Sequence, residues 1–179
     1  NLAGALGRGG AIYADVAGAV WSTESEYKNN VAELGGAIAL DRGSWSARLT
    51  GDTLTANVAN GGGGAIYAAE ALVSLVGSTL NENESVLGGA ALHLVGAVAL
   101  DVASDFTGNG VISDSPGAVA VDTNSALWLN PAGEWLRNSR VDIRLDSATG
   151  FDTYSPPIDI EVLCGLGQGC NPITGGNPI

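Results

Sequence analysis

Short apolar runs alternate along this chain with clusters of Gly, Asp, Asn and Ser, and no stretch of useful length has the spacing of an amphipathic helix. The runs at 19–21, 45–49, 72–76, 97–100 and 126–129 are rich in Val, Leu and Ala, and each reads as a strand. Ahead of each run stands a second apolar segment that opens on small residues: Gly9-Gly10-Ala11-Ile12-Tyr13, Gly35-Gly36-Ala37-Ile38, Gly63-Gly64-Ala65-Ile66-Tyr67, Gly88-Gly89-Ala90-Ala91-Leu92 and, weakened, Pro116-Gly117-Ala118-Val119. Their alanines are 26, 28, 25 and 28 residues apart. After each run comes a large apolar residue, two variable residues and Asn, at Tyr27/Asn30, Leu54/Asn57, Leu80/Asn83 and Phe106/Asn109, with a degenerate copy at Trp135/Asn138. Two signals in phase through five repeats are the mark of a repeat architecture. With three short strands per repeat, the expected fold is all-β: a right-handed parallel β-helix (β-solenoid) of about five coils of 25–28 residues with an irregular C-terminal cap.

Alternation within the first strand assigns faces. With the repeat alanine as origin, Ile12, Ile38, Ile66, Ala91 and Val119 are expected inside, as are Ala14, Leu40, Ala68, His93 and Val121. Tyr13, Ala39, Tyr67, Leu92 and Ala120 are expected outside, with Asp15, Asp41, Ala69, Leu94 and Asp122. Paired glycines allow a tight corner, and an Asn at the same corner of every coil can stack into a hydrogen-bonded amide ladder. Asn30, Asn57, Asn83 and Asn109 are the expected structural ladder. The pattern changes near Val141, where the alternating segments 141–145 and 158–162 flank a Pro-containing loop. Residues 1–138 are therefore taken as the repeat domain and 139–179 as a cap that covers exposed strand edges.

The joint pattern resembles the repeats of the polymorphic outer-membrane proteins of chlamydiae, in which Gly-Gly-Ala-Ile is paired with Phe-x-x-Asn. The likeness covers roughly residues 1–140, and Phe106 is the aromatic of that motif with Tyr27 close to it. It implies a right-handed β-helix displayed at a bacterial cell surface and used in adhesion, with the paired motifs at 27–30, 54–57, 80–83 and 106–109 as the segments concerned.

Composition narrows the partners. The formal net charge is −12, and no Lys or Arg occurs between Arg48 and Arg137. Nucleic acid, which is held through cationic contacts to phosphate, is excluded as a partner, and an anionic membrane surface is disfavoured. No apolar run is long enough to span a membrane as a helix. There is no Met, and the chain opens inside a repeat at Asn1, as an excised or processed product would. Cys164 and Cys170, the two cysteines, enclose a Gly-rich loop and are read as a disulfide formed in an oxidising compartment; metal binding through two Cys without nearby His falls short of a zinc site.

Candidate chemistry is thin. Between residues 49 and 136 the one base is His93, read as a packed inward residue. Asp15, Asp41 and Asp122 share a column, read as an acidic outer face and at most a weak Ca²⁺ site, since no calcium-loop motif is present. No catalytic residue, cofactor or metal is assigned, and the chain is not expected to be an enzyme. Trp21 and Trp128 are read as core residues sharing a position with Leu75 and Leu100, while Tyr13 and Tyr67 are the better exposed aromatics for stacking on a sugar. Asn83-Glu84-Ser85 matches a glycosylation acceptor by coincidence. The expected function is an extracellular or cell-surface structural module of adhesin type, whose partner is a protein or glycan at a cell surface. The alternatives are a fibre subunit that joins copies of itself end to end, and a polysaccharide lyase or hydrolase.

Overall fold

A computed structural model describes residues 1–3, 6–16, 18–42, 46–111, 117–122, 124–130, 135–136, 138, 143–146, 150–153 and 160–163. It is a parallel β-solenoid. The first complete turn runs through Ile12–Asp15, Ala19–Thr23, Glu26–Lys28 and Val31–Ala32, and the next three repeat it. Stacking the turns creates four sheets, of seven, six, five and four strands, here called sheets I to IV in the order the chain visits them. Every strand pair is parallel, as between Ile12–Asp15 and Ile38–Asp41, so each turn climbs by one strand spacing of about 4.8 Å.

There are four strands per turn rather than three. The fourth, such as Val58–Ala59, has two residues, too few for any period to show in the sequence. Among the described residues four complete turns are present, and the fifth adds strands to sheets I, II and III. Within the stretch read as a cap, Ile143–Asp146 and Ile160–Leu163 join sheet I in parallel and Gly150–Thr153 joins sheet II. Those strands continue the stack, because parallel pairing with the previous rung uses the same edge groups that a cap would have to cover. Cys164, Cys170, Trp45 and the remainder of 139–179 lie outside the described residues.

The corners explain the non-strand residues. Glu24, Gly51, Gly77 and Ala103 turn the chain from sheet II to sheet III with positive φ, and Asn29, Ala56, Glu82 and Gly108 turn it from sheet III towards sheet IV. Only some are glycines; the others hold the left-handed conformation at a cost of about 1 kcal/mol each. The paired glycines close the turn between sheets IV and I. Gly35 has φ of 63°, and a Cβ on Gly36 would stand 2.1 Å from the Gly64 carbonyl oxygen of the next rung. That contact is between backbones, which is why the second position of the pair stays Gly in the first three turns.

Register corrects the fourth coil. Leu92 pairs with Ile66, His93 with Tyr67 and Leu94 with Ala68. The equivalent of Ala65 is thus Ala91, not Ala90, and the fourth coil carries one extra small residue. Leu92 and Leu94 point inward and are buried, while His93 stands in the outward column with Tyr67 and Ala120. Because side chains alternate with period 2, that one-residue shift moves each of these side chains to the opposite face. The inward columns are otherwise as the alternation implies, whereas Ala39, Asp41 and Ala120, expected outside, are buried as well. Ile38, Leu40, Ile66 and Ala68 from sheet I meet Ala47, Leu49, Val73 and Leu75 from sheet II and Leu54, Leu80 and Phe106 from sheet III in one apolar cluster.

Candidate functional site

The Asn column forms a continuous ladder at the corner between sheets III and IV. The side-chain amide of Asn30 donates to Oδ1 of Asn57 at 2.8 Å, Asn57 to Asn83 at 2.9 Å, Asn83 to Asn109 at 3.0 Å and Asn109 to Asn138 at 3.1 Å. Each of the last four Oδ1 atoms also accepts the backbone N–H of the Asn before it. The second amide hydrogen of Asn57, Asn83 and Asn109 goes to the carbonyl of Tyr27, Leu54 and Leu80. Every interior rung is therefore satisfied while buried, the condition under which a buried amide stabilises rather than destabilises. Asn1 extends the column, its ammonium donating to Asn30 Oδ1 at 3.3 Å. Asn83 is fully buried, so its match to a glycosylation acceptor has no exposed side chain behind it. The ladder is scaffold, with nothing left over for a ligand.

A second corner network was not legible in the sequence. Asp52, fully buried, accepts from Ser22 Oγ at 2.7 Å, Ser25 N at 2.8 Å and Thr50 N at 2.8 Å. Ser22 Oγ also meets the Tyr27 hydroxyl at 2.8 Å. Three rungs on, the equivalents of Ser22 and Tyr27 are Asp101 and Phe106. Asp101 points into the column occupied by Ser22, Leu49 and Leu75 in the preceding rungs, is 1% exposed, and among the described residues neither carboxyl oxygen has a partner in hydrogen-bonding geometry. Burial pushes its carboxyl up to about 7, although Ser104 and the Val102 amide lie close enough to offset part of that rise.

On the outside of sheet I, polar residues gather. Arg8 forms an ion pair with Asp41, and His93 Nε2 lies 3.0 Å from Asp122 Oδ2. Tyr67 meets the His93 ring edge-on at a centroid distance of 5.6 Å. Burial raises the Tyr67 hydroxyl above its ordinary value, Arg8 opposes the rise and Asp122 adds to it. Asp15 and Asp41 are register neighbours as expected, but the Asp41 carboxylate is engaged by Arg8. The His93 ring lies against the backbone of Gly62, where a Cβ would come within 1.8 Å of Nδ1. One of the four consecutive glycines at 61–64 is thereby explained by side-chain room rather than by the corner. Gly62→Ala is expected to displace His93 from Asp122 and lower stability by about 1–2 kcal/mol. Thermal denaturation checks the loss, and an unchanged His93 proton shift in NMR would rule the displacement out.

The outward face of sheet II is different in character. Its central column is Trp21, Arg48, Ser74, Leu100 and Trp128 in successive rungs. Trp21 is 84% exposed and Trp128 45%, with Leu72 and Leu100 beside them at 44% and 41%. Both tryptophans therefore face solvent rather than the core. Leu75 lies one position away, in the inward column, so it is not their equivalent in the repeat. Tyr13 is exposed, as expected, whereas Tyr67 is half-buried against His93. Trp21, Thr23, Ser46, Arg48, Thr50, Leu72 and Ser74 line a groove of about 520 Å³.

Among the described residues no three His, Cys, Asp or Glu side chains converge as metal ligands, and no helix is long and apolar enough to cross a membrane. Comparison with protein-family models, with curated proteins and with solved structures finds no match to this chain.

Proposed function

We propose that this chain is a non-enzymatic, extracellular or cell-surface β-solenoid module of adhesin type, and that sheet II is the face it presents. The observation that carries the reading is the exposure of Trp21, Leu72, Leu100 and Trp128 on one flat sheet whose opposite face is filled by the core. Large apolar side chains gathered on one exposed face mark interaction sites in soluble proteins. These outward side chains belong neither to the apolar core nor to the amide ladder, which leaves them available for contact. The resemblance to cell-surface repeats supports the same reading.

The test is adherence of the purified chain to arrays of immobilised glycans and extracellular-matrix proteins. The double variant Trp21→Ala/Trp128→Ala is expected to lose at least ~10-fold in signal, the size of a lost aromatic anchor, at unchanged melting temperature. Equal binding by both forms, or no binding on either array, would overturn the proposal.

A further inference from the structure

We infer that the groove around Trp21 and Arg48 is a subsite for an acidic sugar, a glycan residue that carries a carboxylate on its ring. The inference rests on the reading of sheet II as the contact face and supplies the chemistry of the partner.

Two side chains set that chemistry. Trp21 and Arg48 are register partners on adjacent strands, so their Cα atoms stand about 4.8 Å apart. Trp21 presents an almost fully exposed indole, and the apolar C–H face of a pyranose ring is a flat partner for an aromatic surface. Arg48 supplies a guanidinium, whose paired N–H donors match a carboxylate in two-point contact. In a chain with 19 acidic and 7 basic residues, an arginine has many carboxylates to choose from. Arg8 takes Asp41, and Lys28 comes within 3.9 Å of Glu26. Arg48 forms no ion pair among the described residues, and none of the residues lining the groove is acidic. The site is thus a local cationic spot in an acidic molecule.

The rim selects sugar over peptide. Thr23, Ser46, Thr50 and Ser74 surround the pair with hydroxyls that both donate and accept, as sugar hydroxyls require. An extended peptide binds a sheet by adding a strand to its edge. Here the groove lies on the face of sheet II, over Ser46–Thr50, which is paired on both sides with Ala19–Thr23 and Leu72–Val76, so it offers side chains, and the backbone edge open to an added strand is the far side of Ala19–Thr23.

Calorimetric titration of the intact chain with galacturonate and glucuronate hexasaccharides, their methyl esters, and poly-glutamate is the experiment. The acidic hexasaccharides are expected to bind, with at least a tenfold loss on esterification. Arg48→Gln should lose that same factor and become indifferent to esterification, and Trp21→Ala should abolish binding of both forms, with melting unchanged. Failure of the acidic sugars to bind, equal binding of the esters, tighter binding of poly-glutamate, or an unaffected Arg48→Gln would each overturn the inference. If the sugars fail while the Trp21→Ala/Trp128→Ala variant still loses adherence on the arrays, the sheet II reading stands and only the acidic-sugar subsite falls.

Discussion

An alanine at position 83 is expected to lower the stability of the solenoid by about 4 kcal/mol, one of the two largest single-residue effects anticipated in this chain. The estimate follows from the hydrogen bonds around one buried amide. Asn83 Oδ1 accepts the backbone N–H and the side-chain N–H of Asn57, at 3.1 and 2.9 Å, and its Nδ2 donates to Leu54 O and Asn109 Oδ1, at 2.9 and 3.0 Å. Truncation leaves the Asn57 backbone N–H without its acceptor in a site that water does not reach. An orphaned buried donor costs about 1–3 kcal/mol, and the neighbouring amides each lose a bond as well. Asn83→Asp separates hydrogen bonding from volume. It keeps the acceptor but turns the donor into an oxygen facing Leu54 O and Asn109 Oδ1, and its charge is buried. Its deficit should therefore grow between pH 5 and pH 8, roughly across the range where a buried carboxyl ionises. Urea denaturation at the two pH values reads both effects. A loss below about 1 kcal/mol for Asn83→Ala would mean that the ladder contributes shape without stability.

Asp101 is expected to make the protein less stable as pH rises from about 4 to about 7. The sign follows from proton counts. In the unfolded chain this carboxyl titrates near its ordinary value of 3.8, while in the native state burial raises it to about 7. Between those values the native state holds a proton that the unfolded state has released, so stability falls with pH across the window. The contribution is fully present below the unfolded value and lost above the folded one. A rise of about three pH units corresponds to roughly 4 kcal/mol over the whole window. Asp101→Asn should flatten this dependence and be more stable than the parent at pH 8. Phe106→Tyr should act from the other side. Tyr27 occupies the equivalent position and brings its hydroxyl to 2.8 Å from Ser22 Oγ, so a hydroxyl at position 106 is placed to serve Asp101. The expected result is a lower Asp101 pKa and a gain in stability at pH 8. Parallel pH profiles for the parent and Asp101→Asn would remove Asp101 from the explanation.

Both effects have the same physical origin. A solenoid repeats one cross-section, so a polar residue that enters an inward column needs a partner at the same height. Asn83 has its partners because the ladder position is Asn in every complete turn. Ser22 and Asp52 have theirs because Tyr27 and Ser25 stand at the right corner. Asp101 follows two leucines in its column and stands opposite a phenylalanine, so Ser104 and the Val102 amide are near it but no hydroxyl stands where Tyr27 places one for Ser22.

By itself the sequence determined the repeat, the parallel stacking and the Asn ladder. Those features depend on residues that recur at a fixed phase: small residues at a backbone-crowded corner, alternating apolar residues, and one amide per turn. Such constraints are local and repeat in every coil, so they leave a period. The tertiary structure alone decided what depends on register between coils. The extra small residue in the fourth coil placed His93 outside beside Tyr67 and Asp122, and brought Leu92 and Leu94 inward. A count of one in sheet II placed Trp21 and Trp128 in the solvent-facing column and left Leu75 in the core. The two-residue strands of sheet IV, the left-handed corners at Glu24, Ala56 and Ala103, and the missing partner of Asp101 likewise arise only when one rung is laid on the next. In a fold whose side chains alternate with period 2, a single-residue slip exchanges inside and outside, and the pairing between rungs settles which occurs.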